Sequence, residues 1–404
     1  MWIRVGIALT LIGGQSSAQS VPVVANQRPS WTTATQWKLS AKPILDIGTA
    51  DGAPEHEFGL ISGVLRLDDG GLAVADMQAN QIRFFDKTGQ FRKAVGRRGS
   101  GPGEWTQLAR LSRFRGDTIL GAGFSGPYEL FSQGGDYVRR LQLENRTRLT
   151  IVGFRSDGSL VAYNSGINES PGRTGEWTDS TEYFEYSADG VRTRSYGHKP
   201  FLRMTAIDGG SSGPTFGATS TSAVIGELFY HNFTDDFAID VYDRSGKLVR
   251  RIQRAWTPAR VTNEDIDKHR RAYVYALNDV GSPSDPETHR QRQRRFEQLK
   301  FSRSFPAHGR MIADRVGNLW VQEYRRPTDQ PLPARFFELA DLPIKWDVFN
   351  SQGRWLGQVT TPGKFFVMDI GADYIAGTSR DDLDVPHARV YGLQKPLCRP
   401  PECR

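Results

Sequence analysis

The chain has 404 residues, of which 38% are hydrophobic and 24% are charged. This composition supports a large buried core and excludes a mainly disordered protein. Lysine and arginine outnumber aspartate and glutamate by 52 to 45, which gives a formal net charge of +7. Because the two signs are interspersed, the excess only weakly favours acidic partners over an ordinary soluble surface.

The first residues predict an export signal. Arg4 precedes an apolar run that ends at Ile12, and small residues lead to an expected cleavage site after Ala18. The run is too short to span a bilayer, and no later apolar stretch reaches eighteen residues. We therefore expect a signal peptide at 1–18, a linker at 19–36, and a secreted or periplasmic protein without a membrane span.

From Ile61 onward, short apolar segments alternate with tight turns. The first unit, ISGVLRLDDGGLAVADMQANQIRFFDKTGQFRKAVG, contains four strand-like runs separated by turn signals such as DDGG and KTG. The same order recurs along the chain, and each copy has a glycine between its third and fourth strands. These glycines are Gly89, Gly135, Gly190, Gly246 and Gly353. The sequence therefore contains five complete copies of a four-stranded unit.

A sixth copy begins at Lys364 and lacks a fourth strand. Residues 37–48, WKLSAKPILDIG, are a lone strand-like segment, and the following TADGAPEHEF parallels the RRGSGPGEW that follows the first copy. We therefore expect the N-terminal strand to complete the last unit and close a ring without exposed sheet edges. The predicted fold is all-β, a six-bladed β-propeller of four-stranded antiparallel blades over residues 37–394.

The segment GGLAVADMQANQIRFFDKTGQFRKAVGRRGSGPGEW resembles NHL repeats. The whole arrangement is similar to the six-bladed propellers of that superfamily, which include secreted bacterial members of undefined activity. Only the first copy carries the full motif, and the later copies keep the strand and turn pattern. The resemblance implies the fold and leaves the activity open, because the superfamily includes protein-binding, RNA-binding and enzymatic members.

The connections between strands fall into two sets. First-to-second and third-to-fourth turns lie on one face of an antiparallel blade, here the short-turn face, and the remaining connections lie on the opposite, long-loop face. All long connections belong to the long-loop face, where binding usually resides on a rigid scaffold. They are GRRGSGPGEW, NSGINESPGRTGEWTDS, GHKPFLRMTAIDGGSSGP, EYRRPTDQPLPARFFELADLP and the region 255–306.

The longest connection joins the fourth and fifth copies and carries helix signals. Thr262 and Asp265 predict a helix N-terminus, and Pro286 predicts the start of a second, strongly basic helix. We expect a helical insertion at about 262–301 between blades 4 and 5. It is interpreted either as a lid or docking element for an acidic ligand, or as a solvated insertion.

Six basic residues are candidate ligands for an anion. They are Arg97, Arg98, Arg110, Arg148, Arg310 and Lys364. The last four lie at or near the starts of inner strands, which line the channel of a propeller, although outward-facing charges are the alternative. The first two lie in GRRGSGPGEW, whose glycines are interpreted as turn residues because no GKS or GKT and no helix follow. The predicted partner is an anionic small molecule, a glycan or a protein.

Three histidines precede inner strands and are the candidate metal ligands: His56, His198 and His308. Peptidyl-hydroxyglycine lyases of similar architecture hold zinc with histidines, but no motif of that family matches here, and separate loop histidines are the alternative. The acidic run at 381–384 lacks the spacing of an EF-hand. We therefore predict no cofactor, with zinc or calcium as the alternative.

Cys398 and Cys403, the two cysteines, lie in a C-terminal tail at 395–404. In an exported protein, such a closely spaced pair favours a disulfide over a metal site. No nucleophile motif stands out, and export disfavours a nucleic-acid partner. We expect a monomeric binding protein. A metal-dependent propeller lyase, a lactonase-type hydrolase and a structural protein of the cell envelope are the alternatives.

Overall fold

The computed structural model describes residues 20–124, 126–144, 149–164, 174–207, 210–275, 286–326 and 342–396. Six separate sheets form the six blades of a propeller, and two α-helices form the insertion between blades 4 and 5. The predicted fold class is confirmed. The predicted export signal, Arg148, Cys398 and Cys403 lie outside the described residues. No described helix is long and apolar enough to cross a membrane.

Each of the first three blades has four consecutive antiparallel strands, with the first strand innermost. Blade 1 contains β4 (Ile61–Arg66), β5 (Leu72–Asp76), β6 (Gln81–Phe85) and β7 (Phe91–Val95). Blade 2 contains β8 (Leu108–Arg113), β9 (Thr118–Gly123), β10 (Tyr128–Ser132) and β11 (Tyr137–Leu141). Blade 3 contains β12 (Leu149–Phe154), β13 (Leu160–Asn164), β14 (Glu176–Tyr186) and β15 (Arg192–Ile207), with β16 (Gly210–Ser212) as a fifth strand.

The second half of the ring repeats this plan. Blade 4 contains β17 (Ser220–Ile225), β18 (Leu228–Phe233), β19 (Ala238–Tyr242) and β20 (Leu248–Arg254). Blade 5 contains β21 (Met311–Ala313), β22 (Leu319–Gln322), β23 (Ile344–Phe349) and β24 (Trp355–Thr361). Blade 6 contains β25 (Phe365–Ile370), β26 (Tyr374–Arg380) and β27 (Pro386–Gln394). Strand β4 contacts both β8 and β25, so the ring is closed between blades 6 and 1.

The repeated glycines have a common backbone role. Gly89, Gly135, Gly190, Gly246 and Gly353 have φ between 79° and 89°, in the region that glycine enters without a steric cost. Each hairpin also has a register shift beside the turn, as between Phe84 and Phe85 in blade 1. This combination is a tight turn followed by a glycine bulge. The turn geometry therefore explains why the repeat is visible in the sequence.

Burial changes from the axis to the rim of a blade. All five residues of β5 are buried, whereas β7 alternates half-buried and exposed residues. Neighbouring sheets pack on both faces of the inner strands, so the sequence LAVAD can be nearly continuously apolar there. The core is correspondingly divided into clusters between adjacent blades, such as the one that joins β13 to β18 through Val161 and Phe229.

The N-terminal segment completes blade 6, as predicted. Strand β3 (Leu45–Ile47) pairs antiparallel with β27, with Leu45 opposite Val390 and Ile47 opposite Ala388. Strand β2 (Lys38–Leu39) pairs with the end of the same strand. The outer edge of blade 6 is therefore covered by two short strands. The chain bends between them on both sides of Pro43, which has no N–H for the ladder.

Residues 19–36 were expected to be a linker, but they contain a further strand. Strand β1 (Val23–Asn26) pairs in parallel with β20 at the outer edge of blade 4. The chain then follows blade 5, where the Trp31 N–H donates to Leu356 O at 2.7 Å. We call residues 23–47 the N-terminal belt, because they cover the outer edges of blades 4, 5 and 6 in turn.

Asn26 connects the belt to blades 4 and 5. Its buried amide donates to Gln253 O and Gly353 O at 3.1 and 3.0 Å, and its Oδ1 accepts from the Trp355 N–H at 2.8 Å. We expect Asn26→Ala to lower the free energy of unfolding by about 2 kcal/mol, because buried backbone groups lose their partners. Urea denaturation measures this loss. Ser30→Ala, which removes one exposed bond to Trp355 O, is the control. Equal losses in the two variants would contradict the assignment.

The loop GRRGSGPGEW crosses from blade 1 to blade 2. Trp105 at its end is fully buried, and its indole N–H donates to Gly121 O at 3.3 Å. Glu104 accepts from the Gly101 N–H at 2.8 Å and from Arg97 at 2.6 Å, which fixes the tight return of the loop. The loop is thus an inter-blade connection, in agreement with the sequence interpretation.

The insertion between blades 4 and 5 contains α1 (Asn263–Tyr275) and α2 (Pro286–Glu297). The predicted N-terminus is confirmed, because the Thr262 N–H donates to Asp265 Oδ2 at 2.9 Å and the Asp265 N–H donates back to Thr262 Oγ1 at 3.3 Å. An aromatic cluster fastens the insertion to the propeller. Phe216 belongs to the connection between blades 3 and 4. The centroid of its ring lies 5.2 Å from that of His269 and 5.7 Å from that of Phe301.

The connection GHKPFLRMTAIDGGSSGP differs from the sequence prediction. It was expected to be an irregular loop, but β15 continues through it to Ile207 and pairs with β14 as far as Glu176. The apolar residues Phe201, Leu202 and Met204 favour an extended ribbon that the sequence analysis did not recognise. Blade 3 consequently extends beyond its neighbours on the long-loop face.

Candidate functional site

Four inner strands contain an extra residue within their first four residues, counted from the long-loop face. Register shifts make these bulged residues Ser62, Ala109, Val152 and Met368. A bulge interrupts the pairing of its strand and redirects side chains. The inner wall of the channel is therefore irregular where these strands begin, and we call this region the long-loop mouth of the channel.

Three junctions between neighbouring blades repeat one contact at this mouth. A side chain of one inner strand, or of the residue just before it, donates to the carbonyl that precedes the bulge of the next strand. The contacts are Ser62 Oγ to Leu108 O at 2.8 Å, Arg110 Nη1 to Ile151 O at 2.7 Å, and Arg310 Nη2 to Val367 O at 2.7 Å. Because the bulge disturbs the ladder, the side chain satisfies a carbonyl there. Two predicted anion ligands, Arg110 and Arg310, thus lie at the channel wall.

Arg310 is a cation without a carboxylate partner among the described residues. Its Nε donates to Gln322 Oε1 at 3.3 Å, and its guanidinium carbon lies 3.9 Å from the ring centroid of Phe366 and 5.2 Å from that of Trp346. Burial lowers the pKa of Arg310 to about 9. Water has thus been removed from this charge without an acidic group to compensate for it. Such an environment favours an external anion.

Arg110 is exposed and lies beside a group of hydroxyl side chains. Burial raises the pKa of Tyr163, and the positive charge of Arg110 opposes this rise. The Tyr163 ring lies 5.2 Å from that of Tyr183, whose hydroxyl is 3.2 Å from Ser220 Oγ. Burial raises the pKa of Tyr183 to about 12, so that hydroxyl stays neutral near pH 7. The wall beyond Arg110 therefore offers neutral hydrogen-bonding groups.

The other predicted basic residues are placed differently. Arg97 is exposed and pairs with Glu104 at 2.6 Å, and Arg98 forms an isolated backbone bridge with Trp105 in the same inter-blade loop. Lys364 precedes β25 and lies 3.4 Å from a carboxylate oxygen of Asp382. The structure therefore gives Arg97 and Lys364 acidic partners within the chain, in contrast to Arg310.

The three histidines that were predicted as metal ligands are not brought together. Their nearest polar groups are Gly89 O for His56 at 3.1 Å, Glu182 Oε2 for His198 at 4.0 Å, and Asn232 Nδ2 for His308 at 2.8 Å. His56 lies in the crossing to blade 1, His198 is exposed on β15, and His308 is buried before β21. In the part of the chain that the structure describes, no group of three or more His, Cys, Asp or Glu side chains could hold a metal ion.

An ion-pair network crosses the opposite, short-turn end of the channel. Arg113 of blade 2 lies 3.3 Å from Asp369 of blade 6, and Arg315 of blade 5 lies 2.7 Å from Asp68 of blade 1. The Tyr374 hydroxyl also donates to Asp369 at 2.8 Å. These pairs join blades that are not neighbours. These pairs were not predicted, since the only sign of them in the sequence is the charged residues around the first turn of each blade, as in RLDDGG.

The two ends of the channel therefore differ in their electrostatics. At the short-turn end, arginines and aspartates compensate each other within the chain. At the long-loop mouth, Arg310 and Arg110 have backbone or amide partners and no carboxylate partner among the described residues. The mouth is consequently the end at which an anion would find uncompensated donors.

Comparison with known proteins supports the fold. The model of a family described as a 6-bladed beta-propeller, DUF5128, matches residues 53–112. A solved structure of a DUF4221 family member from Bacteroides vulgatus is similar, with a TM-score of 0.54 and 11% identity, over 90% of this chain and 99% of that chain. No curated protein matches the sequence.

Two further solved structures are similar at a lower level. One is the calcium-binding protein regucalcin from Agrobacterium tumefaciens, with a TM-score of 0.39 and 10% identity over 94% of this chain and 100% of that chain. The other is a gluconolactonase from Xanthomonas campestris, with a TM-score of 0.41 and 10% identity over 84% of this chain and 87% of that chain. At this identity the likeness concerns the fold, and the chemistry must be argued from the site. The chain is a six-bladed β-propeller.

Proposed function

We propose that this protein is an exported propeller, built from NHL-like repeats, that binds a small anionic molecule at the long-loop mouth of its channel. The observation that carries this proposal is the environment of Arg310. Its guanidinium is half-buried, lies over Phe366, and has no carboxylate partner in the described parts of the chain. The export rests on the N-terminal sequence pattern.

The chemistry of the mouth supports an oxyanion as the ligand. A guanidinium presents several N–H donors in a plane, and two of them match the oxygens of a carboxylate or phosphate. Arg310 uses one donor for Val367 O and another for Gln322, which holds the group in place and leaves further donors. Partial burial strengthens the attraction, because the effective dielectric constant is lower than in water.

A purely structural role for Arg310 is the competing explanation. In that case the side chain would serve only to satisfy Val367 O, as the Ser62 hydroxyl does for Leu108 O. A serine hydroxyl achieves this without placing a charge in a desolvated site. The charge of Arg310 therefore adds a desolvation cost that a structural contact does not require. Binding of an anion would compensate this cost.

Calorimetric titration of the mature protein with D-gluconate and with inorganic phosphate tests the proposal. We expect at least one of these anions to bind, and Arg310→Gln to weaken its affinity at least tenfold, because a charge-assisted contact is lost. Arg110→Gln should weaken binding less, since Arg110 is more exposed.

Arg97→Gln is the matched control, because Arg97 is an exposed arginine that already pairs with Glu104. It should bind the anion as the unmodified protein does. The proposal is wrong if neither anion binds, or if Arg310→Gln binds with unchanged affinity.

A further inference from the structure

A second cleft lies on the long-loop face and shares no lining residue with the channel site. Its volume is about 190 Å³. Asp235, in the β18–β19 turn of blade 4, is one wall residue, and the other walls come from the extended ribbon of blade 3, the connection between blades 3 and 4, and residues 302–306 after α2. The last three segments are additions to the four-stranded blade plan. The cleft is therefore a feature of the insertions in this chain.

Backbone hydrogen bonds fix the geometry of the cleft. The Thr215 N–H donates to Lys300 O at 2.7 Å, and the Ser302 N–H donates back to Thr215 O at 3.0 Å. The Arg203 N–H donates to Ala218 O at 3.2 Å, which ties the ribbon to the same connection. Phe216 has a φ of 63°, an uncommon value outside glycine, and its ring is held in the aromatic cluster of the insertion. The cleft thus has a preformed wall.

Four charged side chains line the cleft, two of each sign. Arg203 and Asp235 form an ion pair at 3.0 Å and compensate each other. Glu176 and Arg303 are exposed, and neither pairs with an opposite charge among the described residues. The cleft therefore offers one carboxylate and one guanidinium to a ligand, and the sum of its charges is zero.

We propose that this cleft binds the zwitterion of a free α-amino acid. The ammonium group would contact Glu176, and the carboxylate would contact the guanidinium of Arg303. The remaining wall is partly apolar, with Phe305 and Pro306 among its residues, which favours a small apolar side chain. The volume is below the roughly 300–1,000 Å³ of sites for drug-sized ligands, in agreement with so small a molecule.

The balance of charge separates this cleft from the channel mouth. A simple anion gains little here, because Glu176 and Asp235 repel it as strongly as the two arginines attract it. A zwitterion instead places each of its charges against an opposite one. The two sites are therefore expected to discriminate between ligands by net charge.

Titration calorimetry with L-alanine, L-valine and L-leucine tests the proposal. We expect L-valine to bind, and both N-acetyl-L-valine and L-valinamide to bind at least tenfold more weakly, because each lacks one of the two charges. Glu176→Gln and Arg303→Gln should each weaken L-valine binding at least tenfold. The two derivatives test the same contacts in the unmodified protein, so the result does not depend on the folding of a variant.

Arg310→Gln is the control that separates the two sites. It should leave L-valine binding unchanged, even though it weakens binding of anions at the channel. The proposal is overturned if none of the three amino acids binds, if the derivatives bind as well as L-valine, or if both Glu176→Gln and Arg303→Gln keep the original affinity.

Discussion

Lowering the pH from 7 to 4 is expected to reduce the free energy of unfolding by about 6 kcal/mol, because two buried histidines must bind protons. Burial lowers the pKa of His231 and of His308 from 6.5 to about 4. Between these values the unfolded chain binds protons that the folded chain does not bind. The contribution to stability is therefore complete above pH 6.5 and is lost as the pH falls toward 4.

Burial is the main reason why the neutral form of His308 is favoured, and its hydrogen bonds define which ring nitrogen carries the proton. Its Nε2 accepts from Asn232 Nδ2 at 2.8 Å, so Nδ1 carries the proton and donates to Gly309 O at 2.8 Å. A second proton on Nε2 would face the amide N–H of Asn232. The hydrogen bond to Gly309 O raises the pKa of His308 in part, and the positive charge of Arg254 lowers it further.

His231 is buried at the junction of blades 3 and 4. Its ring centroid lies 5.3 Å from that of Tyr183, and its Nε2 is buried without a hydrogen-bond partner. Burial is the main reason for its lowered pKa, and the positive charge of Lys199 adds to it. Protonation would therefore place a second cation in an apolar junction beside an existing one.

Urea denaturation at pH 7, 5.5 and 4 measures this effect. Replacing His231 or His308 by Gln should remove about half of the pH dependence, or roughly 3 kcal/mol each, whatever the stability of the variant at pH 7. His198→Gln is the control, because the side chain of His198 is 65% exposed. A double variant His231→Gln/His308→Gln that keeps the full slope between pH 6.5 and 4 would refute the assignment.

The fold could be predicted because its turns constrain the sequence. Five glycines mark the same positive-φ position in five hairpins, and this requirement is local. The closure by the N-terminal strand was also predictable, since TADGAPEHEF repeats the pattern of RRGSGPGEW. In contrast, β1 pairs with β20, more than two hundred residues away, and nothing in VVAN specifies this partner.

The candidate site was predictable only in part. Arg110 and Arg310 were chosen because they lie at inner-strand starts, and their contacts with the next inner strand place them at the channel wall. However, the side chains around a basic residue decide whether its charge is already paired within the chain or is available to a ligand. Lys364 and Arg310 each come just before an inner strand. Lys364 nevertheless lies beside Asp382, whereas Arg310 lies over the ring of Phe366.

The three candidate histidines are separated in the structure for a geometric reason. His56 and His308 precede inner strands, as predicted, but His198 lies on β15, paired with Glu182 of β14, and each side chain follows the path of its own segment. His56 contacts Gly89 O, a turn carbonyl of blade 1, and His308 contacts Asn232 of blade 4. Similar positions along the chain therefore did not produce proximity in space. The cleft at Arg303 could not be predicted for a related reason, since segments far apart in the sequence, from Glu176 to Pro306, line it together.

Binding of D-gluconate at the channel mouth is expected to weaken about tenfold for each pH unit above 9. Burial lowers the pKa of Arg310 to about 9, and only its protonated form attracts an anion. The carboxylate of the ligand stays ionised over this range. The loss must therefore come from the protein, and at pH 10.5 it should reach roughly thirtyfold relative to pH 8.

Calorimetry between pH 7.5 and 10.5, with circular dichroism to verify the fold at each pH, measures this loss. Arg310→Lys should move the onset to lower pH, because an amine starts from a lower pKa than a guanidinium and is lowered by the same burial. Arg97→Gln should retain the original profile, since Arg97 is exposed and outside the mouth. An affinity that stays constant up to pH 10.5 in the folded protein would mean that the charge of Arg310 does not hold the ligand. The anion would then owe its binding to neutral donors at the mouth, such as the side-chain amide of Gln322.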